Sequence, residues 1–246
     1  MKLAVLIDGD NIPSKYVKEM MEEVTKYGTP TLKRIYGDWT KPQLNKWKAV
    51  LLETAITPVQ QYGYTIGKNA TDSAMIIDAM DILYANTVDG FCLVSSDSDF
   101  TRLATRLREA GKKVYGIGEK KTPSPFIVAC DKFIYLEILN SSDDESEAKG
   151  PKKKKEVDPI TSKTLKFLTS SVDDVADDNG WAFLGDVGSL LQKKRPNFDS
   201  RNYGFEKLTP LIKSTGKFEV DQRVGTKSKH KLIFVKNIEK KSTGKR

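Results

Sequence analysis

Twice this sequence runs an unbroken apolar stretch straight into aspartate. Leu3-Ala4-Val5-Leu6-Ile7 leads into Asp8-Gly9-Asp10-Asn11, and Phe91-Cys92-Leu93-Val94 leads into Ser95-Ser96-Asp97-Ser98-Asp99-Phe100. Short apolar runs with no polar alternation are strands buried on both faces, as in parallel sheets covered by helices. Ligands of such sheets collect beyond the carboxyl ends of the strands. The chain therefore delivers carboxylates to one rim. Clustered like charges are unfavourable unless a cation joins them. The economical partner is a divalent metal, Mg²⁺ or Mn²⁺.

Strand and helix patterns alternate up to residue 140. Strands are expected over 2–7, 31–36, 58–62, 91–94, 113–117 and 133–136. Helices are expected over 13–27, 43–55, 72–84, 99–110 and 124–130, with Gly111 as a cap. The resulting fold class is α/β: a three-layer sandwich with a mostly parallel sheet.

Residues 141–159 read as a flexible charged linker. Ser141-Ser142-Asp143-Asp144-Glu145-Ser146-Glu147 has no apolar residue, Gly150-Pro151 breaks structure, and Lys152-Lys153-Lys154-Lys155 is a charge block. Beyond it, helices are expected over 160–176, 187–193 and 204–214. An extended piece at 181–184 and a hairpin of 217–224 with 231–235 complete a small α+β domain, 160–238. Helices followed by a basic hairpin suggest a winged helix-turn-helix. Trp181, Phe205 and Leu208 read as its core, and 239–246 as a disordered tail.

Charge separates the two parts. Residues 1–140 hold 18 Lys+Arg against 17 Asp+Glu, whereas 161–246 hold 18 against 10. A polyanion partner handled by the second module follows, with Lys193, Lys194, Arg195, Arg201, Arg223, Lys227 and Lys229 as phosphate contacts. No apolar stretch approaches the ~20 residues of a membrane span, and no signal peptide precedes the first strand. Cys92 and Cys130 fit a reducing cytoplasm and read as core thiols. His230 is the single histidine, so paired-histidine nuclease chemistry is excluded and a Cys/His zinc site lacks ligands. A hydrolase built from this chain must work through carboxylates and a metal.

Asp8 lies directly off its strand, and Gly9 permits close backbone approach. Asn11 can support an oxygen-rich site, whereas Asp10 can cap the helix that follows. Asp97 and Asp99 point the same way if the chain stays extended, although Asp99 can instead cap the next helix. Ser96 and Ser98 can orient carboxylates or a water. Asp72 belongs to a first helical turn, where a carboxylate suits the dipole with or without a metal. Asp78 can brace Lys68 or bind an outer water, and Lys68 can hold a phosphate.

Ile7-Asp8-Gly9-Asp10-Asn11, Lys68-x-x-x-Asp72, Ser95-Ser96-Asp97-Ser98-Asp99-Phe100 and Gly111-Lys112-Lys113-Val114 resemble the NYN domain, a branch of the PIN-like metal-dependent ribonucleases. Over residues 1–140 that resemblance implies Asp8, Asp72, Asp97 and Asp99 as metal or catalytic acids, with Asn11 supporting. Family members usually space the Lys one residue closer to the Asp and often carry Gly where Ser96 stands. Asn179-Gly180-Trp181-Ala182-Phe183-Leu184, Pro196-Asn197-Phe198-Asp199-Ser200-Arg201 and Tyr203-Gly204-Phe205-Glu206-Lys207-Leu208 resemble the LOTUS or OST-HTH domain. That second resemblance implies a winged-helix module that binds RNA, single-stranded or structured and including G-rich RNA, and contacts proteins. A homodimer follows only by analogy with PIN-like domains.

The expected function is a Mg²⁺- or Mn²⁺-dependent ribonuclease, an endonuclease, with a C-terminal RNA-binding module. The rivals are a non-catalytic RNA-binding regulator, an aspartyl-phosphate phosphatase of the haloacid-dehalogenase type using Asp8 and Asp10, and a DNA reader.

Overall fold

The computed structural model describes residues 1–62, 70–139, 157–224 and 231–238. The chain forms two compact units, one within residues 1–153 and the other within 154–246.

The first unit begins with β1 (Lys2–Asp8), a 3-10 turn (Ser14–Tyr16) and α1 (Val17–Thr25). Next come β2 (Thr29–Gly37), a 3-10 turn (Pro42–Leu44), α2 (Asn45–Thr54) and β3 (Thr57–Gln60). After α3 (Ala70–Ala85) and β4 (Gly90–Val94), a 3-10 turn (Ser98–Phe100) leads into α4 (Thr101–Glu109). β5 (Lys113–Gly118), α5 (Ser124–Ala129) and β6 (Lys132–Tyr135) close the unit. The strands order as β3-β2-β1-β4-β5-β6, and every neighbouring pair is parallel.

The pattern of β1 explains the layers. Leu3, Val5 and Ile7 enter one core with Val17, Met20, Trp47 and Leu51 of α1 and α2. Ala4 and Leu6 enter another with Met75, Ile82, Leu103 and Leu107 of α3 and α4. Successive side chains point to opposite faces, so only a strand apolar at every position can serve two helical layers. β4 does the same, with Phe91 and Leu93 on one side and Cys92 and Val94 on the other. Each buried Leu, Ile or Phe contributes about 1.5–3 kcal/mol.

The strand order reverses between β1 and β4. Their carboxyl ends flank a crevice that no crossover covers, the usual ligand position in open parallel sheets. Asp8 ends β1, and the Ser95–Asp99 turn leaves β4.

The second unit contains α6 (Ser162–Asp173), β7 (Trp181–Phe183), α7 (Leu184–Lys194), a 3-10 turn (Ser200–Tyr203) and α8 (Leu208–Ser214). It ends in β8 (Phe218–Val224) and β9 (Lys231–Asn237). The three strands form an antiparallel sheet in the order β7-β9-β8. Phe167, Leu168, Val187, Leu191, Leu211, Ile212 and Val235 make its core.

Two expectations change here. The helix expected over 204–214 begins only at Leu208, because Gly204 takes a left-handed conformation (φ +80°) that closes the preceding 3-10 turn. Phe205 and Leu208 do pack against the core, but Trp181 does not. Ala182 pairs with Val235 and both are fully buried, so strand alternation turns Trp181 to the other face. There the Arg223 guanidinium lies 4.9 Å from its ring centre and 4.3 Å from that of Phe234.

Candidate metal centre

Three carboxylates meet at the switch point. One oxygen from each of Asp72, Asp97 and Asp99 lies within 4.8 Å of the others. Asp72 comes from the first turn of α3, and Asp97 and Asp99 from the turn after β4. Asp8 is not one of that group, but the Ser95 hydroxyl joins its carboxylate to the Asp97 turn. After burial itself, the Asp8 charge is the strongest influence raising the Asp72 carboxyl.

Asp8 is 1 % exposed. Its Oδ2 accepts hydrogen bonds from Asn11 Nδ2 (2.6 Å) and Ser95 Oγ (2.7 Å). Its Oδ1 is buried with no protein donor. A buried carboxylate oxygen without a partner is costly, and a cation at that point removes the cost. The donor set therefore fits a hard divalent ion: oxygen ligands only, several of them charged. Neither cysteine is available to it. Cys92 and Cys130 are buried in the core, and burial pushes the Cys130 thiol up to about 12.

Local structure fixes each acid. Asp97 caps the 3-10 turn by accepting the Asp99 backbone N–H at 2.9 Å, so Asp97, not Asp99, is the cap. Ser95 links the two acidic segments, because its hydroxyl donates to Asp8 and accepts the Asp97 N–H at 3.0 Å. The Ser95 N–H also bonds Ile117 O at 3.0 Å, continuing the β4–β5 ladder. Ser95 was not singled out from the sequence. Its signal is a polar residue that prolongs a fully buried strand. Ser96 instead accepts the Glu119 N–H at 2.8 Å and tethers the loop after β5.

Asp10 does not cap the helix after Pro13. No side chain caps that turn, and Asp10 accepts from the Thr71 hydroxyl at 3.0 Å. It is the fourth carboxylate acting on Asp72. Asp78 is engaged away from the other acids: its two oxygens accept from Arg34 and from the Tyr36 hydroxyl. Lys68 lies outside the described residues.

Burial, then the charges of Asp8, Asp97, Asp99 and Asp10, push the Asp72 carboxyl up to about 6. Burial also raises Asp8, against the hydrogen bonds from Asn11 and Ser95. A protonated carboxyl is no ligand, so proton and cation compete below about pH 6. A divalent ion held there would therefore stabilise the fold fully above that pH and less as pH falls. Without metal the sign reverses. The folded state holds a proton on Asp72 that the unfolded chain releases, so this group's contribution to stability declines as pH rises between the two pKa values. At 100 times its Kd a cation adds about 2.7 kcal/mol, a rise of roughly 5–10 °C in melting temperature. We expect that rise at pH 7.5 and little of it at pH 5. Equal shifts at both pH values would show binding elsewhere.

Four of the seven expected phosphate contacts meet other groups of the fold. Lys194 bonds Ser171 Oγ (3.2 Å) and pairs with Asp174. Arg201 grips Asp199 with Nε and Nη2 at 3.0 and 2.7 Å. Arg223 pairs with Asp221 at 2.9 Å, and Arg195 lies 3.9 Å from the centre of the Phe167 ring. Lys193 is exposed and has no such partner among the described residues. Lys227 and Lys229 fall outside them. No helix among the described residues is long and apolar enough to cross a membrane.

Residues 155–230 match the OST-HTH/LOTUS domain. A protein of Methanocaldococcus jannaschii, itself described as uncharacterized, is 28% identical over 122 residues, covering 48% of this chain and 47% of that protein. The chain thus spans about half the length of the curated relative it matches. A solution structure of an uncharacterized Nitrosomonas europaea protein is 29% identical, covering 42% of this chain and 99% of that one with a TM-score of 0.33. A crystal structure of a Vibrio parahaemolyticus protein of unknown function is 22% identical, covering 54% and 90% with a TM-score of 0.45. The NYN domain matches residues 2–137, more than half of the sequence, and the chain belongs to that family, a PIN-like nuclease fold followed here by an OST-HTH/LOTUS module.

Proposed function

We propose that this protein is a Mg²⁺- or Mn²⁺-dependent ribonuclease, cutting endonucleolytically, in which Asp8, Asp72, Asp97 and Asp99 hold the metal. The observation that carries the reading is the buried, partnerless Oδ1 of Asp8 at the switch point of the sheet, joined through the Ser95 hydroxyl to the turn that carries two of the three crowded carboxylates. A divalent ion bound there supplies Lewis acidity toward a scissile phosphodiester. The chain's own part is to hold the ligands still. Asn11 and Ser95 fix one oxygen of Asp8 and leave the other available, while Asp97 locks the turn that presents Asp99. The Asp72 carboxyl, pushed up to about 6, is the group at which a cation would compete with a proton just below neutral pH.

The OST-HTH/LOTUS unit supplies RNA capture, which we read as the work of a winged helix-turn-helix. Tethering it to the nuclease unit raises the local concentration of substrate. Among the candidate phosphate contacts within the described residues, Lys193 would need no prior partner exchange. Arg195, Arg201 and Arg223 would have to trade or share theirs. The aspartyl-phosphatase alternative requires Asp10 as acid and base, and its carboxyl is engaged by Thr71 at the helix start.

A mixed RNA pool incubated with wild-type protein should be degraded with Mg²⁺ or Mn²⁺ and preserved in EDTA. Asp97→Asn should fail in both. Binding of the pool without cleavage under either metal would replace the ribonuclease by an RNA-binding regulator.

A further inference from the structure

The loop that carries Asp10 and Asn11 has a second side. A pocket of about 290 Å³ opens between it and the start of α2, lined among others by Asp10, Asn11, Lys15, Gln43, Lys46 and Trp47. Asp10 and Asn11 also belong to the acid site, through Thr71 and Asp8 respectively. The loop is therefore a wall common to both.

That wall is rigid. Gly9 N–H donates to Tyr36 O at 2.9 Å, and Ile12 N–H to Asp8 O at 3.1 Å. A Cβ on Gly9 would sit 2.9 Å from Tyr36 O, so the approach needs glycine. Trp47, only 2 % exposed, donates its indole N–H to Ile12 O at 2.9 Å and ties α2 to the loop. The pocket is thus pre-formed rather than a gap between mobile segments.

Its charge balance differs from that of its neighbour: Lys15 and Lys46 outnumber its one carboxylate, Asp10. Lys15 and Lys46 are exposed, and neither has an ion-pair partner among the described residues. Lys15 Nζ lies 4.7 Å from the Tyr16 ring centre, which steadies the side chain without neutralising it. Gln43, also exposed, adds an amide that both donates and accepts. The volume is at the lower end for ligand pockets, which suits one nucleotide unit rather than a duplex.

Building on the ribonuclease reading, we infer that this pocket holds the nucleotide next to the scissile bond of a single-stranded RNA, with Lys15 and Lys46 on its phosphates. A polyanion approaching five carboxylates needs compensating cations at fixed positions. Two lysines one loop away supply them and set the strand's register over the acids. Duplex RNA is disfavoured because a paired nucleotide cannot enter.

The test uses the full chain and a six-nucleotide labelled RNA. Lys15→Ala with Lys46→Ala should raise KM about tenfold, the scale of two exposed charge contacts, with kcat within about twofold. Because two phosphate contacts are lost, the slope of log KM against log salt should fall by about 1.4. Lys15→Arg with Lys46→Arg should restore most of KM. Unchanged KM and slope in a cleaving protein would overturn the pocket and leave the ribonuclease standing. A fall in kcat alone would overturn it too, by showing that the lysines act through the acids. A second measurement needs no cleavage: the same RNA carrying one 4-thiouridine, photocrosslinked to the Asp97→Asn protein. Crosslinks within residues 9–15 or 43–47 support the site, and crosslinks confined to the second unit overturn it.

Discussion

Asp8→Asn is expected to lower RNA cleavage by at least 10³-fold while leaving the fold intact. The size follows from the several kcal/mol that a metal contributes to charge stabilisation in phosphoryl transfer. The fold should survive because the asparagine oxygen can take over the two hydrogen bonds from Asn11 and Ser95. It should even gain slightly without metal, since the variant removes a buried charge whose second oxygen has no donor. Three readouts separate these effects: cleavage is lost, the metal-free melting temperature does not fall, and the Mn²⁺-induced rise disappears. Ser95→Ala should lie between the two forms, weakening metal binding 10–100-fold as removal of an orienting partner does. Full activity of Asp8→Asn would end the proposed mechanism.

Phe100→Ala is expected to destabilise the nuclease unit by about 3–5 kcal/mol, a large share of the ~5–15 kcal/mol that holds a domain together. Phe100 closes the motif that carries Asp97 and Asp99, and it is fully buried. Its ring centre lies 6.4 Å from that of Phe126, which packs edge-on at 5.8 Å against Phe133. The acidic turn is thus pinned to the core by the residue next to Asp99. Truncation leaves a cavity under α4 and frees the turn, so metal affinity should fall together with stability. Denaturant unfolding followed by tryptophan fluorescence reads the first effect, and the Mn²⁺ shift the second. A loss below about 1 kcal/mol would mean that the turn is held by its backbone alone.

Much of the site is local and therefore legible. An apolar run that stops at aspartate states which residues leave the sheet and at which end. That placed Asp8, Asp97 and Asp99 on the rim, and the first-turn position placed Asp72 at the start of α3. What stayed hidden depends on partners distant in sequence. Asp78 shares a helix with Asp72, yet Arg34 and Tyr36 of β2 claim both of its oxygens. Arg195, Arg201 and Arg223 look like free cations in a basic stretch, and each meets an acid or an aromatic ring once folded.

By itself the sequence determined the layers, since residues apolar at every strand position must bury both faces, and it determined which ends carry acids. Tertiary structure alone decided that β1 neighbours β4. That pairing brings Ser95 Oγ to within 2.7 Å of Asp8 across 87 residues and sets Asp72, Asp97 and Asp99 together. It likewise decided that Trp181 faces away from the core. Periodicity reports what one segment buries, whereas strand order and register come from long-range pairing, where several arrangements satisfy the same local pattern and packing selects among them.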